Sequence, residues 1–480
     1  MSAVAIDAGP SRPLASVGLG WLRERGMGSS ILVAAISTAF GALLLSTTGY
    51  LGALLRADPT IGDAGSLQLV VGILSVLFIG VAVYVAAVVT ANTFATIIAG
   101  RVRQIALLRL IGSTARGERA RVARQGVGVG LIGALVGLAV AIVAGLALLP
   151  LADRAVGTTV GYVVLQPVLL APAAVVVLTT WGAAWAGSRR VLTVTPLQAI
   201  GGSAERGVEE VSRRPVRNVL AIGLVAVGVV LLAAGVALGL VHPGGVVIAF
   251  LGGAVSFAGL ALAATLVMPP LLRLVGRAFG RGVTARLAAE NALRYPERSS
   301  RMSIGVVIGV TLVTMFAVAM ETTKSVLAAA SGGRLHPALA SALDGFATIM
   351  MGLVAVAAVI AAVGLVNLLT IGVVQRRREL GLLRALGLSK GQIRRMVLLE
   401  ASHVTVTAVV LGLVLGTVYG WAGAQATLGS VGGGAFVAPS IPWITVGVIV
   451  GATTVLTLIA AVVPTRLATR VPPVEALASE

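Results

Sequence analysis

The stretch 375–396, QRRRELGLLRALGLSKGQIRRM, closes an uncharged run that reaches back to Gly345. Six arginines and one lysine arrive within 22 residues, interleaved with a stripe of leucines. The chain around this stretch is apolar: 480 residues, 58% hydrophobic, 11% charged, mean hydropathy +1.03. Soluble domains average roughly 25% charged residues. The composition is that of an integral membrane protein, and the long uncharged runs are its spans.

Ten spans are expected, at 30–54, 66–99, 126–149, 164–186, 217–240, 245–271, 303–320, 346–374, 400–422 and 441–464. Each is long enough to cross a core of ~30 Å at ~1.5 Å per residue. The connections then alternate between two sides. One side holds 1–29, 100–125, 187–216, 272–302, 375–399 and 465–480. With Arg217 at its span edge, that side carries 32 of the 36 Lys and Arg. The other side has Arg56, Arg154, Lys324 and Arg334. This asymmetry puts both termini in the cytoplasm of a multi-pass cell-membrane protein. The net charge of +19 is then met by anionic headgroups of the bilayer rather than by nucleic acid. The first apolar run is long enough to remain as a span rather than act as a cleaved signal. The absence of cysteine excludes disulfide and thiol chemistry. Composition also points to a high-GC bacterial genome.

The opening stretch has a twin. RQIALLRLIG (103–112) aligns without gaps to RELGLLRALG (378–387). Arg103, Leu107, Leu108, Arg109 and Gly112 pair with Arg378, Leu382, Leu383, Arg384 and Gly387, and Gln104 stands opposite Glu379. The same offset pairs Gln125 with Glu400, Gly137 with Gly412 and Gly145 with Gly420. Glu24-Arg25…Ser30-Ile31 matches Glu297-Arg298…Ser303-Ile304, and TPLQAIGG (195–202) matches PPVEALAS (472–479). The chain therefore reads as two parallel four-span modules, 1–204 and 284–480, with a linking hairpin of spans five and six at 205–283. The fold class is all-α.

In each module the basic element follows the longest uncharged run, which is longer than the membrane core and requires tilt or protrusion. The element itself reads as a short amphipathic helix. Leu380, Leu383 and Gly387 share one side at i, i+3, i+7, with Leu382 and Leu386 beside them. Gly387 is placed to end that helix in a left-handed conformation. Ser389 with Gln392 makes a capping box that restarts the chain. The first copy keeps the glycine stop at Gly112, but its restart, STARGER, is a weaker cap. A lone element of this kind lies on the membrane surface, arginines to phosphate and leucines to acyl chains. Duplication at equivalent places favours two matched sockets on a symmetric partner.

The pattern Glu379, Leu382, Leu383, Arg384, Ala385, Leu386, Gly387 with Glu400 at the start of the next span resembles the FtsX-like permease family, which includes the MacB-type ABC transporter permeases. Gln104, Leu107, Leu108, Arg109, Gly112 and Gln125 carry a degraded version, and Pro473–Leu477 resembles the family's closing motif. The resemblance implies a permease subunit of an ABC-type transporter. In such proteins the basic helix is a coupling helix. The residues it assigns to ATPase coupling are Arg103, Gln104, Leu107, Leu108, Arg109, Gly112, Arg378, Glu379, Leu382, Leu383, Arg384, Leu386 and Gly387. They would dock on two copies of an ABC ATP-binding subunit that hold ATP and Mg, while this chain binds no cofactor. The long helices would carry the movement outward by mechanotransmission, driving export or extraction of a lipophilic compound, peptide antibiotic or lipid.

The residues agree on one point independently. A P-loop needs a lysine after glycine to reach the phosphates. The two lysines, Lys324 and Lys390, follow Thr323 and Ser389. ATPase activity must come from another subunit, and the chain is not an enzyme. Ion-driven carriers keep charges within their spans, and none lies deep in a span here. Glu400 sits at a cytoplasmic span edge, where an ion pair with Arg394, Arg395 or a partner arginine is expected. Gly412, Gly416 and Gly420 form a ladder echoed by Gly137, Ala141 and Gly145, which suits close helix packing or a gating seam. His242, His336 and His403 have no ligand-like neighbours, so no metal site is expected. The Gly-rich segment 423–440 reads as a mobile loop. The connections 55–65 and 321–345 hold no large extracytoplasmic domain, unlike many members of the family, and this favours a small amphiphile as substrate. A non-transporting signalling permease, or an ATPase-independent carrier or scaffold, is the alternative.

Overall fold

The computed structural model describes residues 27–57, 114–156, 161–188, 215–277, 283–294, 296–330, 332–333, 377–430 and 433–470, with the single positions 80, 84, 87 and 344. Among the described residues every regular element is helical. In chain order these are α1 (Met27–Ala57), α2 (Ala115–Val156), α3 (Leu170–Gly187), α4 (Pro215–Gly239), α5 (Gly245–Gly276), α6 (Val283–Arg294), α7 (Pro296–Ala330), α8 (Arg377–Ala385), α9 (Lys390–Leu428) and α10 (Trp443–Arg470).

Seven of them, α1 to α5 with α7 and α9, contain a stretch long and apolar enough to cross a membrane, and α10 adds a shorter apolar stretch, Trp443–Val455. This is a multi-pass membrane architecture. The expected spans 66–99 and 346–374 lie outside the described residues apart from positions 80, 84 and 87. Three helices outrun the boundaries read from hydropathy by more than fifteen residues. α2 has 42 residues, α7 has 35 and α9 has 39, roughly 63 Å, 53 Å and 58 Å at the helical rise. Their charged first turns continue without a break into the apolar spans, because no Gly-Pro or capping signal interrupts them.

Lipid is as apolar as leucine, so helices associate in a membrane by close fit rather than by the hydrophobic effect. The two modules solve this in the same way. In the second, α9 packs on α7 through Gly412, Gly416 and Gly420. A Cβ on Gly416 would lie 2.5 Å from the Thr314 Cβ, and one on Gly420 would lie 2.4 Å from the Met315 carbonyl oxygen. In the first, α2 packs on α1 through Gly133 and Gly137, where a Cβ on Gly137 would lie 2.2 Å from the Ala35 carbonyl oxygen. Ala141 is buried beside Ala42 and Leu45, and a Cβ on Gly145 would meet Val164 at 3.0 Å. Among the described residues the largest apolar cluster joins the modules, with Phe40 and Leu44 of α1, Phe257, Met268 and Leu272 of α5, and residues of α7, α9 and α10.

At the end away from the basic elements, polar groups hold each module. Tyr50 donates to Asp153 at 2.8 Å, and its ring meets Tyr162 edge-on at 6.0 Å. Burial pushes the Tyr162 phenol pKa up, opposed by a hydrogen bond with Ser46. In the second module α9 runs to Leu428, and the described part of the segment read as mobile is tied down instead. Buried Gln425 donates to the Ala435 carbonyl and accepts from the Val437 N–H, while Trp421 donates to the Val437 carbonyl. The Ser440 N–H donates to the Thr322 hydroxyl. Lys324 pairs with Asp344.

Candidate functional site: the basic helix and its socket

The nine residues of α8 carry Glu379 in the first turn and Arg384 in the last, both favourable to the helix dipole. The helix ends at Gly387, whose φ of +100° is open to glycine and strained for any other residue. The Gly387 N–H bonds the Arg384 carbonyl and the Leu388 N–H bonds the Leu383 carbonyl. This is a Schellman ending, completed by apolar contact between Leu383 and Leu388 in one cluster.

The next helix begins two residues later. The Gln392 N–H donates to the Ser389 hydroxyl at 3.2 Å, and the Ser389 N–H donates to the Gln392 side-chain oxygen at 2.8 Å. Both halves of a capping box are present. Leu388 precedes the cap and packs in the same cluster as Ile393, four residues into the helix, as a hydrophobic staple does. Leu388 thus closes one helix and opens the next, so the angle between α8 and α9 is set from both sides.

The socket behind α8 was not visible as an element in the sequence. Segment 272–302 reads as a plain connection, yet it folds α6. Leu287 and Ala288 of α6 join Ile393, Met396, Val397 and Leu399 of α9 in the cluster that receives Leu383 and Leu388. The missed signal was Leu287, Ala288 and Ala292 at i, i+1, i+5 just before Pro296.

With Leu383 turned inward, α8 shows a different face outward. Leu382 is 52% exposed and Leu386 is 72% exposed, and Glu379 is exposed one turn before them. These three lie at i, i+3, i+7, on one side of the helix. Arg384 is half-buried. The structure thus separates two leucines that adjoin in sequence: Leu383 holds the helix in place and Leu382 is offered to whatever lies beyond. Of Arg378 only the helical backbone is described. The first-copy residues Arg103, Gln104, Leu107, Leu108, Arg109 and Gly112 lie outside the described residues.

The restart of the first copy is described from Thr114. Its hydroxyl accepts the Gly117 N–H at 3.1 Å. Gly117 has no side chain to return the bond, and the staple positions hold Ser113 and Glu118. α2 therefore starts on half a capping box.

Glu400 is buried three turns into α9, and His403 is buried a turn later. The His403 Nε2 lies 2.7 Å from the Leu272 carbonyl oxygen. A carbonyl only accepts, so Nε2 carries the proton and ties α9 to the end of α5. His242 serves the turn between α4 and α5, where its Nδ1 accepts the Gly244 N–H. His336 lies outside the described residues.

Comparison with known proteins agrees with this duplicated plan. The model of the FtsX-like permease C-terminal domain matches twice, at residues 76–196 and 351–473. The two matches start 275 residues apart, the offset at which the basic elements align, and together cover half of the chain. A stretch of 60 residues is 35% identical to the ABC transporter permease YtrF of Bacillus subtilis strain 168. That stretch is 12% of this chain and 14% of the relative's own length. Two matches of one family model at equivalent places, together over half of the chain, make this chain a member of the FtsX-like permease family.

Proposed function

We propose that the chain is the membrane subunit of an ABC transporter and that α8 is the helix through which a separate cytoplasmic ATPase drives it. The observation that carries this reading is the outward face of α8. A helix whose only task was to seat in its own protein would bury both leucines. Here Leu383 is seated against α6 and α9, while Leu382 and Leu386 stand out beside Glu379. Two exposed leucines one turn apart with a carboxylate at the edge fit a groove in a partner protein.

In this reading the ATPase binds ATP and Mg, and two copies engage the two copies of the basic element. Closure of the ATPase pair pushes α8. The push passes to α9 through Leu388 and the capping box, and to α7 through α6. The modules span 1–204 and 284–480, with the hairpin at 205–283. The charge asymmetry supports a bacterial cell-membrane protein with both termini cytoplasmic. The short connections at 55–65 and 321–345 support a lipophilic compound, peptide or lipid as cargo rather than a large protein.

The test is affinity purification of the detergent-solubilised chain. Wild type is expected to bring down an ATP-binding subunit at about two per chain, one for each basic element. Leu382→Asp with Leu386→Asp is expected to lose one of the two, and adding Leu107→Asp with Ile111→Asp to lose both. Full retention in the combined variant, or no ATPase with wild type, would place these helices on the lipid surface.

A further inference from the structure

The hairpin α4–α5 belongs to neither family match, yet it touches both modules. Its two helices meet backbone to backbone. A Cβ on Gly228 would lie 2.3 Å from the Ser256 nitrogen, one on Gly235 2.3 Å from the Ala249 nitrogen, and one on Gly252 2.3 Å from the Leu232 nitrogen. The hairpin meets α9 in the same manner. A Cβ on Gly239 would lie 2.4 Å from the Ala426 Cα, and the Ser430 N–H donates to the Gly239 carbonyl. The Ser256 and Tyr419 hydroxyls bond at 2.9 Å, and His403 holds the Leu272 carbonyl near the opposite end of α5. Contacts made by backbone atoms have one register. A slip of one residue sets a side chain where there is room for none.

The contact of α5 with Gly80 and Tyr84, the positions of the expected second span that are described here, is of another kind. The Tyr84 hydroxyl donates to the Ala254 carbonyl at 2.9 Å, and its ring meets Phe257 edge-on at 6.3 Å. The Phe250 ring lies over Gly80, one turn before Tyr84. Phe257 also faces Tyr419 of α9 at 6.5 Å. Ring edges keep favourable contact over a range of offsets. The carbonyls one turn away on α5 offer a sliding Tyr84 hydroxyl equivalent acceptors.

We infer that the hairpin is welded to α9 and moves with it, and that its joint with the first module, among the described residues, is side-chain packing: Phe257 and Phe250 against Tyr84 and Gly80, with Phe40 and Leu44 of α1 in the same apolar cluster. The hairpin is then the cross-brace by which movement of the second module reaches the first. That an ATPase supplies the movement rests on the docking reading above; the division into weld and joint does not.

The chain contains no cysteine, so introduced pairs report without background. A disulfide requires Cα atoms within about 7 Å. Pairs are placed in the full chain in native membranes, oxidised, and quantified as linked peptides by mass spectrometry. At the weld, Ser256→Cys with Tyr419→Cys is compared with Ser256→Cys and Gly423→Cys, one turn along α9. At the joint, Tyr84→Cys with Ala254→Cys and Gly80→Cys with Phe250→Cys are compared with the crossed pairs, Tyr84→Cys with Phe250→Cys and Gly80→Cys with Ala254→Cys. Leu272→Cys with His403→Cys serves as a second weld pair should the first fail to fold. The shifted weld pair is expected to link at least about tenfold less than its native pair, and the crossed joint pairs within about threefold of theirs. Equal linking of the native and shifted weld pairs, or a tenfold deficit of the crossed joint pairs, overturns the inference. No ATPase is needed, so a failed affinity purification leaves this result readable.

Discussion

The two restarts, Ser389 in the second copy and Thr114 in the first, do the same task with unequal means. Ser389 and Gln392 satisfy each other's backbone groups, and Leu388 staples the turn. Thr114 accepts one N–H and receives nothing in return. By contrast the glycine seams that follow, α9 on α7 and α2 on α1, are equally tight. The copies therefore keep the same membrane packing and differ at the hinge above it. On the docking reading proposed above, the stiffer restart makes the second copy the better lever and the first the more compliant one.

The largest effects are expected where the copies are alike. Gly416→Ala sets a methyl 2.5 Å from the Thr314 Cβ and 2.7 Å from the Thr311 carbonyl oxygen, and Gly137→Ala sets one 2.2 Å from the Ala35 carbonyl oxygen. Backbone atoms yield little, so each is expected to cost about 3 kcal/mol. Gly145→Ala faces the movable Val164 side chain at 3.0 Å and is expected to cost less than about 1 kcal/mol. Thermal unfolding in detergent, followed by tryptophan fluorescence, ranks the three. A mild Gly137→Ala would break the equivalence of the seams.

A smaller effect is expected at the stop. Gly387→Ala forces a Cβ onto a φ of +100° with open space around it, and about 1–2 kcal/mol of backbone strain follows. The readout that matters is docking. A disturbed turn re-aims α8, so ATPase recovery should fall further than stability does. Unchanged recovery would mean that the Ser389 cap alone sets the angle.

The smallest effects separate the caps. Ser389→Ala removes the bond from the Gln392 N–H and leaves the Ser389 N–H bonded to the Gln392 side chain, at about 1 kcal/mol, whereas Thr114→Ala removes a single exposed bond at about 0.5 kcal/mol. Gly117→Gln supplies the missing half of the first box and replaces a helical glycine, and is expected to gain about 1 kcal/mol. Amide hydrogen exchange in the first turns of α2 and α9 reads these directly. Equal protection in wild type would remove the contrast between the hinges.

Much of the hinge was legible because its signals are local. A glycine at 387, a Ser and Gln three residues apart, and leucines at helical spacing each act within one turn of the chain. The all-helical duplicated plan was legible for the same reason: span length, charge sidedness and repeated spacing are one-dimensional. The direction of α8 was not. Leu382 and Leu383 are the same residue type side by side, and only the arrival of Leu287 and Ala288 from α6 makes one an anchor and the other an outward contact. Segment 423–440 misled for a related reason. Its glycines give freedom, but Gln425 and Trp421 remove it through bonds to a loop ten or more residues ahead.

By itself, then, the sequence determined that this chain spans the membrane repeatedly and that it is built of two copies of one plan. Those properties follow from hydrophobic length, charge placement and short-range hydrogen bonding. Only the tertiary structure decided which leucine faces outward, which loop is held, and that the inserted hairpin meets α9 backbone to backbone at Gly239 while its described contacts with the first module are made by side chains. Such choices depend on groups far apart in the chain that come within a few ångströms, and spacing along one helix cannot specify the helix on the other side.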